Sequence, residues 1–420
     1  MYRKTVLKNG LRVVTSFMPH THSVCTAIFI GTGSAYEAEN EAGISHFIEH
    51  LCFKGTKRRP TAREISAAIE GVGGIINAGT DRELTIFWCK TASPHFPLTL
   101  DVLADLLLNS RFDSEDIQKE RQVIIEEINM SLDSPQHRLG MLSDELLWPG
   151  QPLGRDVAGS KETVTNLTRE QMLSYIARRY SPSKAVISIA GNIRHQRAVN
   201  LVTQVFAGWI GNEVQGGYPT DDNQTAPRLH IEPRDTEQAH LCLAVHGLSL
   251  FHPDRFALDL LGTLLGEGMS SRLFTEIREH QGLAYSIHSY VEHFLNTGSF
   301  TIYAGVDPRK VRVAVTAILR ELSRVKEEIS ENELTKAKQL SKGRLLLRME
   351  DSRAVSGWLG AQELLCQRIL TVEDVISIVD AISVDDLKQV AQQLLISQKL
   401  NLAIVGPIKT EESLIELLEL

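Results

Sequence analysis

The sequence predicts an α+β fold organised as two homologous domains. Three observations carry this. The chain has 420 residues, more than one hydrophobic core usually serves, so two domains of about 200 residues each are expected. A succession of strand, glycine-containing loop, helix, second helix, strand and helix in the first half recurs in the second, the mark of an internal repeat. Between the copies, residues 211–227 turn polar and rich in chain-breaking residues, which reads as a linker. The domains are therefore placed at 1–210 and 228–420.

The elements follow from local pattern. Thr5–Lys8 and Leu11–Val14 flank Asn9-Gly10, the pair a two-residue type I′ turn prefers, so the chain opens with a hairpin. Val24–Ile30 reads as a strand ending at Gly31. The stretch Gly43–Gly55 reads as a helix, with Gly55 suited to its C-terminus, and Thr61–Glu70 as another, begun after Pro60 and stopped by Gly71. Gly73–Thr80 leads into a strand at Leu84–Cys89, rich in β-branched and aromatic residues. Pro97–Leu108 is helical, as is the stretch from Asp113-Ser114 through Asn129. After a Pro- and Gly-containing break at Leu147–Gly154 come a helix at Thr168–Arg179 and a strand at Ala185–Ala190. Beyond the linker, strands are expected at Ala239–Val245 and Phe300–Ala304. Helices are expected at Arg255–Leu265, Arg272–His280 and Pro308–Lys326.

Within this frame one helix stands out. Ile44, Phe47, Ile48, Leu51 and Cys52 recur at i, i+3, i+4, i+7 and i+8 and form a continuous apolar stripe. The other side carries His46, Glu49, His50 and Phe53. Two imidazoles four residues apart lie about 40° from each other around a helix, one turn up, so both reach a single ion. Glu49 lies within about 100° of either. Zinc takes neutral imidazole nitrogen, and a catalytic zinc site keeps three protein ligands and one open position. The order His-x-x-Glu-His is an inverted form of a metallopeptidase signature. Chance supplies roughly 0.04 such matches in a chain of this length.

A third ligand is sought on the helix that follows residue 113. With Ile117 at zero, Ile124 and Ile128 fall at about −20° and +20°, Glu120 at about −60° and Glu127 at about −80°. Glu126 falls at about 180°, towards solvent. Two carboxylates beside a buried face call for a compensating partner, because an unpaired buried charge is costly. Glu127 is taken as the third ligand. Glu120 beside it either orients a ligand or competes for the role.

Composition bounds the remainder. Hydrophobic residues make up 43% and the net charge is −8, which suits a soluble globular protein and argues against nucleic-acid binding. Five scattered cysteines without a Cys-x-x-Cys spacing fit buried thiols in a reducing compartment. No apolar run nears the ~20 residues of a membrane span. The N-terminus enters a strand pattern directly, with no signal-peptide core. A cytoplasmic location and no membrane partner are expected. In the second copy the helix containing Phe256–Leu261 carries no histidine, so one zinc per chain is expected, in the first domain.

The His46-x-x-Glu49-His50 helix, Gly74-x-x-Asn77-Ala78, the Glu120/Glu127 pair, and Gly268–Phe274 followed by Gly282–Tyr285 together resemble the insulinase-type, or pitrilysin, metallopeptidase family. The chain is most similar to its short members related to processing peptidases. The resemblance covers essentially the whole chain. It implies two domains with mainly antiparallel sheets, a zinc ion on His46, His50 and Glu127, Glu49 as general base on zinc-bound water, and Glu120 as its acidic support. It implies that Asn77 and Ala78 lie in the segment leading to an edge strand that pairs with substrate backbone, a generic mode of recognition. It implies that Arg278 and Tyr285 of the second domain point at the substrate as donors to a carbonyl or oxyanion. Larger members join four such domains and this chain has two, so a homodimer is expected, with a heterodimer as the other assembly. Residues Met130–Arg138 are poor in acid and broken by Pro135, so general oligopeptides rather than basic presequences are the expected substrates. Two other readings stand beside the zinc endopeptidase: a non-catalytic partner subunit, and a binding module with structural zinc, which normally has four protein ligands.

Overall fold

Short runs of β-branched and apolar residues pair into two sheets among the described residues, which are 2–211, 216–218, 220–408 and 412–420 of this computed structural model. The first sheet uses β1 (Tyr2–Val6), β2 (Arg12–Phe17), β3 (Ser23–Ile30), β4 (Ile75–Thr80), β5 (Thr85–Ala92) and β6 (Ala185–Gly191). Its order is β1-β2-β6-β3-β5-β4. Every pairing in it is antiparallel except β2 with β6. The second sheet uses β7 (Arg228–Pro233), β8 (Ala239–His246), β9 (Ala284–His293), β10 (Gly298–Val306) and β11 (Asn401–Gly406), in the order β7-β11-β8-β10-β9. Here too one pairing is parallel, β7 with β11.

The second sheet repeats the first. With β1 set aside, β2-β6-β3-β5-β4 matches β7-β11-β8-β10-β9 strand for strand, with the parallel pair in the same place. The repeat seen in the order of elements is thus a repeat of topology, and the mixed, mainly antiparallel α+β architecture follows from it.

The helices that matter for the site are α1 (Ile44–Cys52), α2 (Ala62–Glu70), α3 (Phe96–Asn109), α4 (Ser114–Asp133) and α5 (Pro135–Leu147). Thr61 begins α2 with a full capping box to Glu64. The opening hairpin differs in detail from a two-residue turn. Leu7 and Leu11 pair by an N–H···O bond of 2.8 Å, leaving a three-residue turn with Gly10 at φ +87°. That is the turn in which glycine serves the left-handed position after a type I bend. Asn9 is drawn away to donate to the carbonyls of Phe206 and Trp209. Pro135, expected as a break, starts α5 instead: Ser134 caps the helix and Pro135 occupies its first turn, where no N–H is needed. The expected helix at Arg272–His280 is present, but Phe274–His280 is wound as a π-helix.

Two compact units result, and they are not contiguous spans. One comprises Met1–Asn129, Asp156–Tyr218 and Leu346–Thr371; the other comprises Met130–Arg155, Pro219–Leu345 and Val372–Leu420. The expected boundaries, 1–210 and 228–420, are each a single span. The difference has a packing cause, because each sheet has two faces to cover. In the first unit the helix Ser352–Cys366 buries Val355, Leu359 and Leu364 against Val14, Ala27, Phe29 and Val186. Gly360 is required there, since an added Cβ would collide with the Phe29 ring. In the second unit α5 buries Leu139 and Leu142 against Cys242, Tyr303, Ala403 and Val405. The strands so covered, β3 and β6 in one sheet and β8 and β11 in the other, are equivalents.

Of the expected linker 211–227, residues 212–215 and 219 lie outside the described residues. Tyr218 is buried in the first unit, where its hydroxyl donates to Glu83 and its ring meets Tyr36 edge-on. Gln224 is buried in the second unit, where it donates to the Leu400 carbonyl and accepts from Asn401. No helix among the described residues is long and apolar enough to cross a membrane.

Arg272 ties the start of the π-wound segment to Glu333, in the first turn of the helix Glu331–Arg348 and in the same unit. Its guanidinium gives Glu333 bonds of 2.5 and 2.9 Å and reaches the Glu328 carbonyl. The bond from Arg272, aided by N–H and O–H bonds from Ser330 and opposed by burial, holds the Glu333 carboxyl down at about 2 from 4.5. The folded pKa lies below the unfolded one, so this stabilisation is complete above pH 4.5 and is lost as the pH falls through about 2. Arg272→Ala should lower Tm near neutrality. Its deficit against the parent protein should narrow as the pH drops from about 5 towards about 3. A deficit constant over that range would show that the pair's charge contributes nothing.

Candidate metal centre and active site

Helix α1 is held at its start and along one face. Gly43 precedes it at φ +90°, where an added Cβ would collide with the Ala158 carbonyl. Ordinary helices leave their first N–H groups unpaired. Here the buried Glu37 carboxylate accepts from the Gly43 N–H at 2.7 Å and the Ser45 N–H at 2.8 Å. Ser45 Oγ meets the Tyr175 hydroxyl at 2.9 Å, which in turn meets Thr32 at 3.0 Å. Ile44, Phe47, Ile48, Leu51 and Cys52 are all buried, as their spacing predicts. Burial pushes the Cys52 thiol up to about 12, so it stays protonated and belongs to the core.

The opposite face brings three donors together. His46 Nε2 and His50 Nε2 lie 3.2 Å apart. Glu127 Oε2, from α4, stands 3.8 Å from the first and 3.5 Å from the second. His46, His50 and Glu127 form the one group of three or more His, Cys, Asp or Glu residues among those described whose ligand atoms converge on a metal-sized space. Helix α4 runs as predicted: Ile117, Ile124 and Ile128 are buried, Glu126 is exposed, and Glu127 is half-exposed at the edge.

The protonation states suit a cation. Burial, with repulsion from His50, brings His46 down to about 4, so it is neutral at pH 7 with a lone pair to offer. His50 Nδ1 sits 2.9 Å from Glu120 Oε1. A carboxylate only accepts, so Nδ1 carries the proton and Nε2 is the nitrogen left to bind a metal. Burial opposes a His50 imidazolium, but the Glu120 bond and the charges of Glu127, Glu49 and Glu120 outweigh it and raise its pKa. A bound metal therefore competes with a proton at this ring. Glu120 is buried and also holds Lys54 Nζ at 2.5 Å. Burial works to raise its pKa, but the His50 and Lys54 bonds prevail and keep it ionised below the usual range. Two neutral imidazole nitrogens and a carboxylate oxygen are a zinc donor set, and these residues fit that metal.

Glu49 stands next to this group. Its Oε2 accepts from Thr80 Oγ1 at 2.8 Å. Burial raises its pKa, with the Thr80 bond and the His50 charge acting the other way. Glu49, His50, Lys54 and Glu120 line a cleft of about 550 Å³, with Ile76 and Asn77 of β4 on its other wall. Strand β4 ends its sheet and is bonded on one side only, to β5. Asn77 and Ala78 were expected in the segment leading to an edge strand; they lie within it, opposite Trp88 and Phe87. The Asn77 side chain accepts from the Ala78 N–H at 2.8 Å.

Arg278 and Tyr285 belong to the second unit and are neighbours there. The guanidinium lies 4.7 Å over the Phe274 ring and 5.3 Å over the Tyr285 ring. Tyr285 is 73% exposed at the start of β9, not a core aromatic. Helix Arg255–Gly266, the counterpart of α1, is largely apolar and buried.

Sequence pattern did not reveal Glu37, Lys54 or Thr80. Lys54 lies four residues after His50, a helical spacing that hinted at it. Glu37 and Thr80 are loop and strand residues whose partners only folding supplies.

Comparison with known proteins bears on this arrangement. The sequence model described as Insulinase (Peptidase family M16) matches residues 12–161, and the one described as Peptidase M16 inactive domain matches residues 166–341. The chain is 37% identical over 420 residues to an uncharacterized zinc protease of Mycobacterium tuberculosis, covering 98% of this chain and 94% of the relative. It is 34% identical over 412 residues to an uncharacterized zinc protease of Bacillus subtilis, covering 97% and 98%. Among solved structures, a protease from Helicobacter pylori matches with a TM-score of 0.91 at 25% identity, over 97% of this chain and 99% of that one. A peptidase M16 inactive domain from Pseudomonas fluorescens matches with a TM-score of 0.90 at 18% identity, over 98% and 99%. That last likeness concerns fold alone.

The anchoring of α1 generates a prediction. Glu37→Ala removes two charge-assisted bonds and leaves two N–H groups at a buried helix start. It should lower the unfolding free energy by about 3 kcal/mol, read from denaturant midpoints. An unchanged midpoint would show that those N–H groups find other acceptors.

Proposed function

The chain belongs to peptidase family M16, the insulinase family, and on that premise we propose that it is a zinc-dependent endopeptidase acting on short unfolded peptides. The observation that carries the reading is the convergence of His46 Nε2, His50 Nε2 and Glu127 beside Glu49, next to an open strand edge. A zinc ion held by these three residues supplies Lewis acidity towards a peptide carbonyl and acidifies water. Glu49, raised in pKa chiefly by burial, takes the proton of the attacking water on a carboxylate oxygen and passes it to the departing amine. Thr80 fixes the orientation of that carboxylate, and Glu120 fixes the tautomer of His50.

The peptide adds as a strand along β4, its backbone meeting the edge N–H and C=O groups that β5 does not use, and displacing the Asn77 side chain from the Ala78 N–H. Such bonds are the same for every sequence, which supports broad specificity. Arg278 and Tyr285 are, by the resemblance, donors to the substrate carbonyl as charge develops on it. A homodimer is the assembly we propose.

A second reading is a non-catalytic subunit, favoured by the description "inactive domain" for one matching model. That model covers residues 166–341, and so excludes His46, Glu49, His50 and Glu127.

Five measurements test the proposal. Elemental analysis should find one zinc per chain, lost in His46→Ala/His50→Ala; zinc that survives in that variant would move the site elsewhere. Chelation should abolish hydrolysis of a peptide library, and zinc should restore it. Glu49→Gln should retain zinc and lose about a hundredfold or more in kcat; near-normal turnover would assign the proton to another group. Mixing inactive Glu49→Gln chains with Arg278→Ala/Tyr285→Phe chains should restore activity if sites are shared across a dimer. A fully active species sedimenting as a monomer would end the dimer proposal.

A further inference from the structure

A second cleft, of about 480 Å³, adjoins β4 on the face of the first sheet away from the histidines. The assignment of faces follows from strand alternation. Thr80 points to Glu49, and Phe87, opposite Ala78, stacks on Phe53 at 6.5 Å, so these side chains share the face of α1. Ile86 and Trp88, one residue removed on either side of Phe87, point the other way. Trp88 joins the apolar cluster under the helix Ser352–Cys366. Ile86 and Trp88 line this second cleft, with Ala78 and Gly79 of β4 at its rim. Gly79 leaves the rim open. An added Cβ there would meet nothing nearer than Ile86 at 3.8 Å, so the absence of a side chain is not forced by crowding.

The walls carry uncompensated positive charge. Arg353 and Arg348 both line the cleft. The Arg353 guanidinium lies 3.8 Å over the Trp88 ring, which holds its plane in place and leaves its N–H edge free to donate. The cleft's one carboxylate, Asp351, is already engaged: Lys90 Nζ lies at 2.7 and 3.2 Å from its two oxygens, and the Arg353 backbone N–H at 3.0 Å. Lys90 and Asp351 cancel, and the two arginines remain as a net positive pair with no carboxylate partner among the described residues.

We propose that this cleft receives an acidic side chain of a peptide strand laid along β4, bound by Arg348 and Arg353. The inference rests on the strand-addition reading above and deepens it. Side chains of an added strand alternate between the two faces. Those of one parity face the histidines and Glu49; those of the other parity enter the arginine cleft. The preference for Asp or Glu is therefore a preference by parity and not a general attraction to acidic peptides.

The test uses zinc-loaded Glu49→Gln protein, to prevent turnover, and fluorescent peptides that differ only by Asp for Asn at one position, scanned along the sequence. Asp should bind roughly fivefold tighter than Asn at alternate positions only, the size of one well-held but solvent-accessible ion pair. Arg348→Ala/Arg353→Ala should erase that ratio and leave the Asn peptides unaffected. Arg348→Lys/Arg353→Lys, which keeps the charge and guards against a folding artefact, should retain part of it. A ratio equal at every position, a ratio of one throughout, survival of the ratio without both arginines, or no binding by any peptide would each overturn the proposal. Parity-dependent binding by a wild-type protein that hydrolyses nothing would instead remove the peptidase reading and leave this subsite standing.

Discussion

The first unit's chemistry depends on one helix being immobile. The α1 stripe from Ile44 to Cys52 is buried along its whole length, and burial of five apolar side chains leaves α1 one rotational setting about its axis. That setting turns His46 and His50 outward together. The Glu37 carboxylate, bonded to two N–H groups at the helix start, settles its position along the axis. Two imidazole nitrogens 3.2 Å apart are an unfavourable pair without a cation or a shared proton, and only a helix anchored in this way keeps them in place.

Around that helix the carboxylates divide their work by environment. Glu120 is buried and doubly bonded, to His50 and Lys54, so it stays ionised and orients a ring. Glu49 has one hydroxyl partner and is raised in pKa by burial, which suits a group that must gain and lose a proton. Glu127 is half-exposed and unencumbered on the side facing the histidines. Three glutamates thus stand in three different electrostatic settings because their neighbours differ.

The repeat of topology explains why the two sheets can carry different burdens. Each is covered on its second face by a helix drawn from the other half of the sequence, Ser352–Cys366 on one and α5 on the other. These covers pack on equivalent central strands and leave the last strands, β4 and β9, at open edges. Open edges are usually shielded against association; here β4 borders clefts on both faces, one with the metal-type donors and one with free arginines.

What the sequence determined by itself were features set by near neighbours. The apolar period of α1 and the placement of Glu127 and Glu120 on the flank of α4 are helical geometry, which depends only on spacing. The linear order of elements also revealed the repeat. Tertiary structure decided what depends on residues far apart. Glu37, Thr80 and Lys54 became supports because folding brings residues 37, 80 and 120 to α1. The unit boundaries moved because a sheet's second face is covered by whichever helix fits it, wherever that helix lies in the chain. Pro135 began a helix because Ser134 caps it and Leu139 and Leu142 gain a buried surface on β8 and β11. Periodicity is written between adjacent residues, whereas hydrogen-bond partners and covered faces are settled only when distant segments compete for the same surface.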